Sequence, residues 1–158
     1  MDISESQSLL METLPQWNHY IARPFKRFLD EGMSPPMFHG MQRLRQSDSL
    51  MTMTELAKWL RMPKQQATKL VDRLIERGMV ERVNDPNDRR LTRLRLTPAA
   101  IQYMDDFKRR QVEYYRELLL SMPEDDQQRF TEAIRTLHDI FGRMPCADGL
   151  EGHEKERQ

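Results

Sequence analysis

Apolar side chains fall at helical spacing over most of this chain and at strand spacing over one short stretch. Leu10, Leu14, Trp17, Ile21, Phe25 and Phe28 step by three and four, which predicts a helix with one continuous apolar stripe. Residues 1–9 ahead of it are polar and are expected to fray. Pro15 fits the first turn of this helix, whereas Pro24 falls inside it. An interior proline removes a hydrogen bond and crowds the preceding turn at a cost of about 3 kcal/mol, so a kink or a division is expected there. Gly32 ends the helix. Ser34, followed by Pro35 and Pro36, caps a short helix to about Gln46 that presents Phe38, Met41 and Leu44. Residues 50–53 read as a short strand. Thr54 caps the next helix, in which Leu56, Ala57 and Leu60 face inward, and Arg61-Met62 turns the chain into the one after.

That following helix and the hairpin behind it are the most informative part of the pattern. Ala67, Leu70, Val71, Leu74 and Ile75 form an apolar stripe, and the opposite face carries Lys64, Gln65, Thr68, Lys69 and Asp72. Pro63 suits the first helical position and Gly78 the residue just past the end. From Met79 to Val83 apolar and charged residues alternate, as in a half-buried strand. Asp85-Pro86-Asn87-Asp88 is a turn signal, and Leu94 and Leu96 then alternate with Arg93 and Arg95 on the returning strand. The hairpin therefore projects Arg89 and Arg90 away from the core. Residues 54–78 make a helix-turn-helix and the hairpin makes its wing. The fold class is mainly α, with a small β component.

Thr97 and Pro98 open a long helix whose stripe is Ile101, Met104, Phe107, Gln111, Tyr115 and Leu118, widened by Tyr114 and Leu119. Pro123 opens another, with Phe130, Ile134, Leu137, Ile140 and Phe141 inward. The core of a winged unit is too small to cover so many long helices, and a second copy of the chain would cover them. The organisation expected is a helical dimerisation region at 10–32 and 98–145, a winged helix-turn-helix at 33–97, and a charged, disordered tail at 146–158.

Composition narrows the chemistry. Charged residues make up 32% of the chain and the mean hydropathy is −0.80. No apolar run approaches the ~18 residues of a membrane span. No leader pattern is visible, and the lone cysteine, Cys146, excludes an internal disulfide and a cysteine-rich zinc site. A cytoplasmic location is expected. The net charge is zero, yet residues 54–97 hold eleven Lys/Arg against six Asp/Glu and the rest of the chain is correspondingly acidic. Such a basic middle is an electrostatic footprint for nucleic acid. His19, His39, His138 and His153 are scattered without metal-ligand spacing, and no nucleophile elbow, phosphate loop or metalloprotease motif occurs. Neither a metal nor a cofactor nor an enzymatic activity is expected.

Met33-Ser34-Pro35-Pro36-Met37-Phe38, residues 70–82, the wing Asp85-Pro86-Asn87-Asp88-Arg89-Arg90 and Leu94-Arg95-Leu96-Thr97 together resemble the DNA-binding part of MarR-type regulators, the multiple-antibiotic-resistance repressor family. The likeness in layout spans residues 10–145 and is most specific over 70–97. It implies a homodimeric, ligand-responsive repressor on a pseudo-palindromic operator with half-sites about one helical turn apart. Lys64, Gln65, Gln66, Thr68 and Lys69 are then the candidates for the major groove, with Arg73 reaching a phosphate or pairing with Glu76 or Asp72. Family members often carry small hydroxyl residues near 65 and 66; both are glutamine here, a side chain able to read adenine with two hydrogen bonds. An arginine on a wing enters the narrow minor groove. Arg90 is that candidate, with Arg89 as a second contact, and the resemblance implies that Asp88 holds the Arg90 guanidinium in a fork.

The resemblance also implies a pocket for a small aromatic or phenolic effector between the helical and DNA-binding parts. Met11, Met33, Met37, Met41 and Met104, with Trp17, Tyr20 and Phe38, are the adaptable apolar side chains available to line it, and simple core packing is the alternative. Of these, Trp17, Tyr20, Phe38 and Met41 are the ligand-binding candidates. Two other functions fit the same residues: a winged-helix protein-interaction module that binds no duplex, and a regulator that senses oxidants through Cys146.

Overall fold

The computed structural model describes residues 3–144. Cys146 and the tail expected at 146–158 lie outside the described residues. In chain order the elements are α1 (Ile3–Trp17), a π-helical turn (Asn18–Ala22), α2 (Arg23–Phe28), α3 (Pro35–Gln46), β1 (Met51–Thr52), α4 (Met53–Leu60), α5 (Lys64–Glu76), β2 (Val80–Asn84), β3 (Thr92–Leu96), α6 (Pro98–Leu120) and α7 (Glu124–Arg143). The three strands form an antiparallel sheet in the order β1-β3-β2, with Met51 opposite Leu94 and Val80 opposite Leu96.

The winged unit is set by its caps. Ser34 accepts from the Met37 N–H at 3.4 Å, and Pro35 and Pro36 occupy the first turn of α3, where a missing N–H leaves nothing unpaired. The cap of α4 is Thr52 and not Thr54. Glu55 decides this, because it stands three residues after Thr52. The Thr52 hydroxyl accepts from the Glu55 N–H at 3.2 Å, and the Glu55 carboxylate accepts from the Thr52 N–H at 2.7 Å. Arg61 takes a left-handed conformation (φ 53°) between α4 and α5, and Pro63 stands at the N-cap of α5, one residue before the position expected. Gly78 (φ 69°) releases the chain from α5 into β2.

The core lies where α3, α4, α5 and the first half of α6 meet the sheet. Met37, Met41, Leu56, Val71, Leu74, Val80, Leu94 and Phe107 are fully buried in it. Phe38 and Phe107 lie 4.2 Å apart between ring centroids, and Phe25 of α2 packs edge-on against both. Thr97 joins the sheet to α6: its hydroxyl accepts from the Ala100 N–H at 3.2 Å and donates to the Gly78 carbonyl at 2.6 Å. The buried face of α6 is Ala100, Tyr103, Met104 and Phe107, whereas Ile101, expected inside, is exposed.

The helical arms differ from the sequence expectation at several points. Helix α1 starts at Ile3, so residues 3–9 are helical rather than frayed, and Ile3 and Leu9 add to its exposed apolar side chains. Pro15 sits in the last turn of α1, not in the first turn of a helix. Pro24 does divide the helix, through a π-helical turn, and α2 ends at Phe28, with Gly32 (φ 78°) in the turn beyond. Neither α1 nor α7 buries a residue within the chain. Leu137, Ile140 and Phe141, expected inside, are exposed, as are Leu10, Leu14 and Trp17 of α1.

Candidate nucleic-acid interface

Helix α5 presents two faces. Ala67, Leu70, Val71 and Leu74 are buried against the core, and Lys64, Gln65, Gln66, Lys69 and Arg73 are exposed on the outside. Thr68 is half-buried, and its hydroxyl donates to the Lys64 carbonyl at 2.8 Å, which leaves the oxygen free to accept. No side chain caps α5, so the first N–H groups of the helix remain open to an anionic oxygen such as a phosphate.

The wing is held by a residue the sequence pattern did not single out. Asp85 is a buried carboxylate that accepts from the Asn87 N–H at 2.7 Å and the Asp88 N–H at 3.0 Å, which folds the turn. Its other oxygen accepts from Arg93 Nε, and the same guanidinium donates from Nη1 to the Leu50 carbonyl at 2.7 Å and lies 3.8 Å from Glu55. The Arg93 guanidinium, and then the Asn87 and Asp88 N–H groups, hold the Asp85 carboxyl below the usual carboxylate range; Asp85 in turn raises Arg93. One arginine thus ties the hairpin tip to β1 and to the start of α4. The signal was available: the aspartate that opens the turn and an arginine on the returning strand lie diagonally across the hairpin, within reach of a long side chain.

The fork expected between Asp88 and Arg90 does not form. Asp88 Oδ1 accepts instead from the Arg90 backbone N–H at 3.0 Å, and the Asp88 carbonyl accepts from the Leu91 N–H at 2.9 Å. Asp88 shapes the tip, and Arg89 and Arg90 project from it, both exposed. Arg73 makes no pair with Asp72 or Glu76; Asp72 pairs with Arg82 of β2 at 2.7 Å.

The carboxylates of this segment are distributed unevenly. Arg82, Arg93 and Arg95 on the sheet are each matched, by Asp72, Asp85 and Glu81. Lys64, Lys69, Arg73, Arg89 and Arg90 have no ion-pair partner among the described residues. Arg61 and Arg77, which flank α5, have none either, so the uncompensated positive charge of this segment lies along α5, at its two ends and at the wing tip, which suits a groove and the phosphates beside it.

A cavity of about 640 Å³ separates α3 from α6. Phe25, Phe38, Met104 and Phe107 form its apolar wall, and Gln42, Arg45, Lys108 and Gln111 its polar side. Arg45 reaches across to Asp105 at 2.8 Å, and the buried Nε2 of Gln111 has no hydrogen-bond partner. Of the ligand candidates, Phe38 lines this cavity. Met41 is sealed in the core, and Trp17 and Tyr20 are exposed on the N-terminal arm, away from the lining.

A three-stranded sheet carrying a wing, a helix-turn-helix and a basic outer face define a winged helix-turn-helix DNA-binding protein. The family model that matches residues 33–92 is described as "MarR family". A curated relative, the "Uncharacterized HTH-type transcriptional regulator YsmB" of Bacillus subtilis (strain 168), is 30% identical over 111 residues, 70% of this chain and 75% of that protein. Among solved structures, a MarR family protein from Bacillus stearothermophilus superposes with a TM-score of 0.75 at 21% identity, over 90% of this chain and all of that one. A point mutant of S. aureus MepR, bound to an oligodeoxyribonucleotide, gives a TM-score of 0.62 at 17% identity over 85% of this chain and 97% of that one. The chain belongs to the MarR family and is a DNA-binding transcriptional regulator.

Proposed function

We propose that this regulator is a homodimeric repressor that is released from a two-fold-symmetric operator by a small aromatic or phenolic effector. Each subunit lays Lys64, Gln65, Gln66, Thr68 and Lys69 in a major groove, sets Arg73 against the backbone, and sends Arg90, with Arg89 beside it, into the adjacent minor groove. Asp88 serves by shaping the tip. The observation that carries this reading is that Lys64, Lys69 and Arg73 on α5 and Arg89 and Arg90 at the wing tip are exposed and without an ion-pair partner among the described residues, while the arginines of the sheet are matched. The oligodeoxyribonucleotide bound to the MepR mutant is consistent with it.

The dimer is supported by the uncovered apolar faces of α1 and α7, which bury nothing within one chain. Residues 10–32 and 98–145 would form the dimerisation region and 33–97 the DNA-binding region. The effector would occupy the cavity between α3 and α6, with its ring on Phe25, Phe38 and Phe107 and a polar group on Gln111. An occupant there competes with the Arg45–Asp105 pair, one of the links from the winged unit to the long helix. Moving α3 against α6 changes the spacing of the two recognition helices and disfavours the bound state.

Footprinting on genomic fragments tests the proposal. A protected site with two-fold symmetry and half-sites about one helical turn apart supports it. An asymmetric footprint, or an Arg90→Ala variant that binds as tightly as the parent, removes it. Binding to a protein partner with no salt-dependent retention on duplex DNA would favour an interaction module instead.

A further inference from the structure

Asp72 is out of place on a DNA-facing helix. It follows Gln65, Thr68 and Lys69 by seven, four and three residues, so it shares their side of α5. A bare carboxylate there would repel the phosphate backbone. It is not bare: Arg82 Nη2 of β2 donates to its Oδ1 at 2.7 Å. Both side chains are 45% exposed, so burial does not demand the pairing. Glu81 and Arg95 repeat the arrangement across β2 and β3, at 2.7 Å and as cross-strand partners. Lys64, Lys69 and Arg73 of α5 and Arg89 and Arg90 of the wing tip are left without an ion-pair partner among the described residues.

We infer that Asp72 is a specificity-determining residue that acts through Arg82: it occupies a guanidinium lying beside the recognition helix and so denies the protein one more sequence-blind phosphate contact. This rests on the reading that α5 faces the duplex. Non-specific affinity scales with the number of phosphates neutralised, and each adds about 0.9 to the slope of log K against log salt. On random DNA the protein shifts until every free cation finds a phosphate. On its operator the base contacts fix the register, and a freed Arg82 gains only what that register allows. Asp72 therefore widens the gap between operator and random DNA.

The test compares Asp72→Asn, Arg82→Ala and the double variant with the parent, as full chains, on the footprinted operator and on a random duplex of equal length. For Asp72→Asn, binding to the random duplex is expected to tighten roughly fivefold at ~0.1 M salt, with the slope steeper by about one. Operator affinity is expected to rise less, so the ratio falls. Arg82→Ala is expected to weaken both, since it uncovers the carboxylate, and the double variant is expected to restore the parent slope. An unchanged slope on random DNA for Asp72→Asn overturns the inference. So does weaker operator binding by that variant, which would make Asp72 a direct base reader. A double variant that keeps the steep slope also overturns it, since Arg82 is then not the group released. A parent protein that binds neither duplex overturns the DNA-facing reading and this inference together, whereas a binding parent with unaltered variants overturns only the inference.

Discussion

Arg93 donates its Nε–H to the buried carboxylate of Asp85, and no other carboxylate of the wing tip is ion-paired among the described residues. The same guanidinium holds the Leu50 carbonyl at 2.7 Å, so the tip, β1 and the start of α4 share one anchor. Asp85→Asn keeps the shape and removes the charge. It is expected to loosen the turn at Asn87 and Asp88 and to lower operator affinity on the order of tenfold, the loss of about one good groove contact. Titration against the operator, alongside circular dichroism, checks this. Unchanged affinity with a folded protein would mean the tip needs no anchor.

The same carboxylate makes the wing sensitive to acid. Asp85 is held below its ordinary value chiefly by Arg93, and Glu55 below its own chiefly by the Thr52 N–H. A depressed folded value means that the folded state binds fewer protons than the unfolded one. The stabilisation is then complete above the ordinary carboxylate range, near about pH 4, and is lost as the pH falls towards the depressed values. The Asn87 and Asp88 amides are therefore expected to keep their exchange protection from about pH 7 to 5 and to lose it below about 4. Asp85→Asn should erase that dependence at the tip, as read by amide exchange in NMR spectra.

A second long-range contact explains how the N-terminal arm tolerates its proline. Pro24 has no N–H for the Tyr20 carbonyl four residues earlier, and the Tyr114 hydroxyl of α6 donates to that oxygen at 3.0 Å. Tyr115 donates to the next carbonyl, that of Ile21, at 3.4 Å. Tyr114→Phe is expected to cost about 1 kcal/mol of unfolding free energy, the net worth of one such bond. In a Pro24→Ala background the cost should shrink, because the alanine N–H supplies the missing donor. A denaturant-unfolding double-mutant cycle with no coupling between the two positions would refute the link.

What the sequence reveals and what it hides follow one physical line. The stripe of α5, the Ser34 and Thr97 caps, the Arg61-Met62 turn and the alternating wing are legible because each is set within a few residues. Thr52 and Thr54 compete for one cap, and Glu55 settles it by its distance from Thr52. The Asp85–Arg93 anchor, the Tyr114–Tyr20 bond and the burial of Tyr103 in place of Ile101 depend on how separate elements meet, which spacing does not carry. The methionines show the same limit. Met33, Met37 and Met41 are adaptable enough to line a pocket, although core is the commoner role for any one of them, and packing places them in the core, while the cavity between α3 and α6 takes Phe38 and Met104.

The exposed apolar faces give the last prediction. Leu14 on α1 is 56% exposed and Phe141 on α7 is 64% exposed, and neither belongs to the buried core of its own chain. Large apolar side chains at helical spacing on two arms form a surface that a soluble monomer seldom leaves uncovered. If a second copy covers them, Leu14→Glu and Phe141→Glu put a charge into that interface without disturbing the fold of one chain. Each variant should keep the helical signal and the thermal transition of the winged unit, and should sediment as a monomer at micromolar concentration. A monomer holds one half-site at a time, so operator affinity should fall on the order of a hundredfold or more while binding to an isolated half-site stays near its parent value. Folded variants that remain dimeric and bind the full operator as tightly as the parent would show that these faces serve another purpose.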